Sequence, residues 1–276
     1  MEFLDFFNYS FFNRALIMSI LGGISCGIIG VWILLLNIPF IGVAMSHAAF
    51  AGAMTGLLLG INPVLCGFIF CVTSALFIDP VAEKTKLHNN ISISLLFSFM
   101  LGIAFLFIGM LKDYRAEVLG FMWGNILTAS WNDVILSAAA VIILISFIII
   151  FHKGILAILF NREIARACGI PEKLIFYVLL IISSIVVSLH LHSIGGLLIY
   201  SLIAIPSASA YQLTYRTGTM YVISSLIAVI SCIAGLFISS VTALPVGATI
   251  ILISCVLFLT SVLFSKKRNY EKKTFF

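Results

Sequence analysis

Charge is scarce in this chain: Asp, Glu, Lys and Arg make up only 9% of its 276 residues, against 62% that are hydrophobic. A charged fraction this small excludes an ordinary soluble domain, in which about a quarter of residues are charged. From Thr217 to Ser265 not one charged residue occurs, and none is expected well inside any other apolar run. Proton-coupled and ion-coupled transporters generally keep ionisable groups at mid-membrane, where a costly buried charge senses the driving ion, so that class is disfavoured. A phosphate-binding GxxxxGK(S/T) loop is missing as well, which leaves this chain without the usual means of hydrolysing ATP. Paired carboxylates, Ser/His/Asp sets and HExxH are absent, so any work done on a solute takes its energy from a partner. The six cysteines, Cys26, Cys66, Cys71, Cys168, Cys232 and Cys255, show no CxxC or Cys/His ligand spacing and read as small apolar packing groups. The start, MEFLDFFNYSFFNR, has neither the basic region nor the small-residue cleavage site of a secretory leader and reads as mature sequence. Phe3, Phe7 and Phe11 recur at four-residue spacing there, as in a short interfacial helix or a frayed apolar terminus.

What the chain has in abundance is long apolar runs. Runs near the roughly 20 residues needed to cross the bilayer core lie at 14–36, 62–79, 91–110, 132–151, 174–192, 195–213, 219–239 and 245–264, and a shorter one at 45–60 is either a full span or part of a broken one. Irregular backbone facing lipid is prohibitively costly, so the runs should be helices and the fold an all-α, polytopic membrane bundle. About nine crossings are expected, with eight as the alternative.

Positive loops stay cytoplasmic. With the 152–173 loop inside, Lys84, Lys86, Lys153, Arg162, Arg166, Lys173, Arg216, Lys266, Lys267, Arg268, Lys272 and Lys273 are all internal, and only Arg14, Lys112 and Arg115 are external. That asymmetry supports nine crossings, an external amino terminus and a cytoplasmic carboxyl terminus. Residues 1–265 then form a single transmembrane domain, and 266–276 a basic cytoplasmic tail that anchors at the inner surface.

Between the apolar runs sits a charged stretch, FNREIARACGIP, residues 160–171. Asn161 can cap a helix running through Arg162, Glu163, Ile164, Ala165, Arg166 and Ala167, and Gly169 supplies a stop with Pro171 beyond it. Residue chemistry leaves two readings open: a solvated helix on the membrane surface, or a coupling helix set into a groove of a cytoplasmic ATPase.

Small residues Ala44, Ala48, Gly52, Gly56 and Gly60 recur every fourth position, a smooth stripe that admits a close helix neighbour. His47 lies beside it and is either a satisfied buried imidazole or a metal contact. His190 and His192, beside Gly195 and Gly196, are either interfacial or metal-contacting. Two apart on a regular helix, they point about 200° away from each other and could meet one ion only in an extended segment. Asp113, Glu117 and Asp133 either draw cations and dock a binding protein or are solvated loop charges. Pro206 should kink its span, with Ser207 or Ser209 satisfying released carbonyls.

The charged stretch resembles the coupling-helix motif of permease subunits of zinc, manganese and iron ABC importers, the ABC-3 family, through Phe160, Glu163, Ala165, Ala167, Gly169, Ile170 and Pro171. The resemblance runs along the chain in order: FNRALIMSILGGISCGIIGVWILLL, SHAAFAGAMTGLLLG, GFMWGNILTAS, GGLLIYSLIAIPSASAYQLT and LPVGATIIL are each similar to a family segment. It implies a homodimer around a central pathway, two copies of a cytoplasmic ATP-binding subunit, and an extracytoplasmic metal-binding protein. It also implies a multi-pass place in a prokaryotic cytoplasmic membrane and alternating access. The chain would hold no cofactor, the divalent metal being cargo, and nucleic acid is not among the expected partners. ATPase coupling falls to Asn161, Arg162, Glu163, Ala165, Arg166 and Gly169; metal contact to His47, with His190 and His192 as candidates; and helix packing to Ala48, Gly52, Gly56 and Gly60. In the family an Asp precedes the resembling His by four residues and shares its helix face; here that position is Val43, and Leu36 and Asn37 replace basic residues. The alternative of another class is a stand-alone facilitator or channel for a small solute, with no ATPase.

Overall fold

In the computed structural model, residues 10–86, 89–110, 118, 120–121, 124, 126–242 and 244–265 are described. The candidate interfacial residues Phe3 and Phe7, the loop charges Lys112, Asp113, Arg115 and Glu117, and the basic tail lie outside them. Among the described residues eleven α-helices follow one another: α1 Ser10–Leu35, α2 Ile41–Leu59, α3 Pro63–Thr85, α4 Asn89–Met110, α5 Trp131–Ile150, α6 His152–Phe160, α7 Arg162–Ala167, α8 Glu172–Ile194, α9 Gly196–Leu213, α10 Thr217–Thr242 and α11 Val246–Leu263. Among the described residues nine of these are long and apolar enough to cross a membrane, all but α6 and α7. The 45–60 run proves to be the greater part of a full-length helix, α2, which makes it the ninth such helix among the described residues.

Burial sorts the helices into layers. Within an 18-residue apolar stretch of each helix, 72% of the residues are buried in α1 and in α2 and 67% in α8, against 22% in α4 and in α11. The outer helices turn Phe99, Phe105, Ile142, Ile149, Leu252 and Leu259 outward, as an apolar solvent requires. The inner helices approach closely and are stitched by small hydroxyls, the usual adhesive where lipid gives no hydrophobic drive between helices. Trp32 Nε1 donates to Ser183 Oγ at 3.2 Å, tying α1 to α8, and Ser224 Oγ donates to the Gly27 carbonyl at 2.8 Å, tying α10 to α1.

The α2 stripe works as the spacing predicts over most of its length. A Cβ at Gly52 would lie 2.4 Å from the Cys66 carbonyl oxygen, one at Gly56 would lie 2.8 Å from Pro63 Cα, and Ala48 is fully buried, so α3 runs against the backbone of α2. Gly60 is the exception: it ends α2 in the left-handed region at φ 68°, and nothing lies within 4 Å of where a Cβ would stand. Its glycine serves the turn, not the packing. Pro206 lies inside α9, but Ser207 and Ser209 donate to the carbonyls of Ile203 and Ile205, not to that of Leu202, which proline leaves without its usual donor.

Candidate functional site

The charged stretch folds as its residues dictate. Asn161 Oδ1 accepts from the backbone N–H of Glu163 at 2.8 Å and of Ile164 at 3.1 Å, capping α7. At the other end Gly169 takes φ 79°, and the N–H of Ile170 returns to the Ala165 carbonyl at 3.0 Å. A short helix, α6, precedes it, which the loop reading of 152–160 did not foresee.

The side chains of α7 and of the residues flanking it divide into two sets. Phe160 is 82% exposed and Ile164 51%, with Asn161, Glu163, Arg166 and Gly169 exposed around them. Ala165 is buried, and Arg162 turns inward. These two therefore differ from the outward contacts expected of them: the helix face that meets the bundle takes one residue in every turn, and theirs are on it.

Arg162 lies between two helices. Its Nη2 donates to Asp79 Oδ2 of α3 at 2.9 Å and its Nη1 to Asp79 Oδ1 at 3.4 Å, while Nε and Nη2 donate to Glu172 Oε2 at 3.2 and 3.1 Å. The guanidinium carbon stands 3.9 Å from the centre of the Phe176 ring. Arg166 closes the cluster by donating to Glu172 Oε1 through Nε at 2.9 Å and through Nη2. Two buried carboxylates and two arginines thus balance. Burial works against the Arg162 charge, but the hydrogen bonds and charge of Asp79, then of Glu172, outweigh it and hold the guanidinium above its ordinary value.

Asp79 is the last residue of the expected 62–79 run, so the expectation that no acid lies well inside a span is not overturned; what the structure adds is that this acid is buried. It sits six residues before the end of α3 at 6% exposure. Its charge is affordable there because a partner arginine reaches it from 83 residues away in sequence. The signal was an acid directly before proline in an apolar run, Asp79–Pro80, and a second acid, Glu172, directly after the charged stretch.

The three histidines stay apart. His47 is half-buried on α2, its Nδ1 3.0 Å from the Val43 carbonyl and its ring packed edgewise on Phe97, and it lines a small cavity with Ser46, Phe121 and Gly196. His190 is fully buried, with Nδ1 2.8 Å from the Val186 carbonyl and Nε2 toward Gly22 of α1. His192 is exposed and lines a cavity of about 850 Å³ with Asn62, Phe121, Ser130 and Asp133, at the end of the bundle opposite α7. A regular helix sends neighbours two apart to opposite sides, and α8 stays regular through both. Ser130 caps α5 by accepting from the Asp133 N–H at 3.2 Å, and Asp133 completes the capping box, its Oδ2 accepting from the Ser130 N–H and hydroxyl, each at 2.8 Å. Among the described residues no three His, Cys, Asp or Glu side chains converge as a metal site.

The model of the ABC 3 transport family matches residues 8–265, nearly the whole chain. The chain belongs to this family. Among curated relatives, the manganese transport system membrane protein MntC of Halalkalibacterium halodurans is 30% identical over 95% of this chain and 90% of the relative. The high-affinity zinc uptake system membrane protein ZnuB of Haemophilus influenzae is 24% identical over 92% of this chain and 97% of that protein. Of solved structures, PsaBC from Streptococcus pneumoniae in complex with Fab superposes with a TM-score of 0.87 at 26% identity, covering 99% of this chain and all of the other. As a member of the ABC 3 family with nine spanning helices, the chain is a multi-pass protein of the bacterial cytoplasmic membrane.

Proposed function

We propose that this chain is the permease subunit of an ATP-binding-cassette importer for a divalent transition metal: manganese, zinc or iron. The observation that carries the reading is α7, a helix capped at both ends, held from within by Arg162, and offering Glu163 and Ile164 outward beyond the spans beside Phe160 at the end of α6. The relatives, membrane proteins of a manganese transport system and of a zinc uptake system, support the cargo. Residues 1–265 act as one permease unit with residues 266–276 as a cytoplasmic tail, the amino terminus outside and the carboxyl terminus inside. Two copies surround the pathway. A binding protein delivers the ion at the end that carries His192, and two copies of a cytoplasmic ATPase drive alternating access through α7.

In this reading Asn161 and Gly169 fix the ends of α7, Glu163, Arg166 and the apolar pair Phe160 and Ile164 meet the ATPase, and Arg162 and Ala165 seat the helix on the bundle. His47 touches the passing ion with its free Nε2, His192 meets it at the outer cavity, and His190 belongs to the helix packing. The test is ATP-dependent uptake into proteoliposomes holding this chain with its ATPase and binding protein, with manganese, zinc and iron in competition. Absence of uptake for every divalent metal sinks the proposal.

Glu163→Arg reverses an exposed charge at the proposed contact and is expected to weaken ATPase association by about tenfold while leaving the fold intact, because a reversed charge at an interface costs on the order of 1–2 kcal/mol. Pull-down of the ATPase on the purified variant reads this directly. Val43→Asp adds a carboxylate one turn before His47, on the same helix face. Its expected effect is divalent-ion uptake half-saturating at about tenfold lower concentration, since an anionic oxygen is a far better ligand for a hard cation than an aliphatic side chain.

A further inference from the structure

The coupling helix is covalently continuous with only two spans: α5 by way of α6, and α8. His47 is on neither; it lies on α2, so movement of α7 reaches it only through contacts that the chain order does not provide. The structure contains one such route, and it begins at the buried acid Asp79.

We infer that Asp79 is a positioning residue of the transport cycle, the point at which Arg162 of the coupling helix grips α3 and, through α3, moves the helix that carries His47. Arg162 donates to both carboxylate oxygens of Asp79, at 2.9 and 3.4 Å, a two-pronged grip that transmits orientation as well as charge. The same guanidinium holds Glu172, the first residue of α8, so α3 and α8 are seized together at their cytoplasmic ends. At the far end Ser188 Oγ of α8 donates to the Val64 carbonyl of α3 at 3.2 Å, which keeps the two helices in step.

The place of Asp79 in α3 matters. Pro80 follows it and leaves the Leu76 carbonyl without its usual donor, so the helix is weakest over the turn from 76 to 80, the turn that carries the grip. Asp79 stands within that turn, six residues before the helix ends, so a pull on it acts where the body of α3 joins its last turn.

That body is keyed to α2. A Cβ on Gly52 would lie 2.4 Å from the Cys66 carbonyl oxygen, and one on Gly67 would lie 2.9 Å from the Ala49 carbonyl oxygen, with Cys71 Sγ donating to the Met45 carbonyl at 3.5 Å. Helices in backbone contact cannot slide independently, because close-packed interiors pass displacement on instead of absorbing it. The route is therefore α7, Arg162, Asp79, α3, α2, His47, a continuous physical chain with a charged joint at its start.

The inference rests on the permease reading above, and its test separates the two. The intact complex of this chain with its ATPase and binding protein is reconstituted in liposomes, and metal ions imported are measured per ATP hydrolysed. Asp79→Asn is expected to retain ATPase association and hydrolysis while the ratio falls about tenfold, and Asp79→Glu to restore most of it. A residue that merely supported the fold would lower the amount of assembled complex without changing the ratio. If Asp79→Asn does not assemble, Arg162→Lys is measured instead; it keeps the charge but loses the two-pronged grip, and the same fall in ratio is expected. A wild-type ratio in whichever of these assembles overturns the inference alone. Absence of ATP-dependent metal uptake by the unaltered complex overturns the permease reading and this inference with it.

Discussion

Replacing Arg162 with alanine is expected to destabilise the protein by about 3 kcal/mol, the largest effect of any single side-chain truncation at the coupling segment. The reason is what it leaves behind. Asp79 is 7% exposed at its side chain and has Arg162 as its ion-pair partner, so truncation strands a carboxylate in a nearly dry place. Glu172 keeps Arg166, but that arginine is 61% exposed and shares its charge with water. Loss of one member of a buried pair typically costs about 3–5 kcal/mol, and the 24% exposure of the Arg162 side chain places the expectation at the low end. Removing the stranded acid as well, in Arg162→Ala with Asp79→Ala, should return a good part of the stability, because the desolvation penalty goes with it. Thermal unfolding of the detergent-solubilised variants measures both. If the double variant is as unstable as the single one, the penalty does not come from the buried charge. Ion import per ATP should stay low in the double variant even as stability recovers, since the joint to α3 is still missing.

The second large effect is expected at Gly52. Gly52→Val would put a branched side chain where a single Cβ already falls 2.4 Å from the Cys66 carbonyl oxygen and 2.8 Å from Gly67 Cα. Both obstacles are backbone, so no side chain can swing aside, and α2 and α3 must separate. Overpacking of this kind costs about 1–3 kcal/mol, and the β-branched residue puts the expectation near 3 kcal/mol. Gly60→Ala provides the control. It meets open space but must hold φ near 68°, so the expected loss is about 1 kcal/mol, all from backbone strain. A melting-temperature series across Gly52→Ala, Gly52→Val and Gly60→Ala checks the ranking; equal effects at the two positions would refute the close approach of α2 and α3. Separation of these helices also breaks the route from Asp79 to His47, so metal uptake should fall in Gly52→Val protein that still reaches the membrane.

Both expectations depend on facts of different legibility. The stripe containing Gly52 was visible as a four-residue repeat, because helix geometry turns a spacing in sequence into a face in space. The repeat could not show that its last member, Gly60, leaves the helix, since a turn glycine and a packing glycine are the same letter. A second set of close approaches is present on α1, where Gly23, Gly27 and Gly30 press against the backbones of α10 and α9, and their spacing, four and then three, fits the helical period at least as well as the α2 stripe does. Val43 stands where the family pattern has an acid, and the structure gives His47 a backbone carbonyl for its Nδ1. The histidine pair on α8 was read correctly as divergent if helical, and the helix proved regular.

The sequence by itself determined the things that local rules govern. Nine apolar runs became nine helices because an unpaired backbone group in lipid is too costly to leave. The coupling segment began at Asn161 and ended at Gly169 because a side-chain cap and a left-handed stop act within one turn of the chain. Family membership was legible in ordered motifs. Only the tertiary structure decided which way Arg162 and Ala165 face, that Asp79 is buried and paired, and that three histidines occupy three separate places. Those outcomes depend on which helices become neighbours across 83 intervening residues, and the energy of a buried charge is set by the partner that reaches it, not by the residues beside it in the chain.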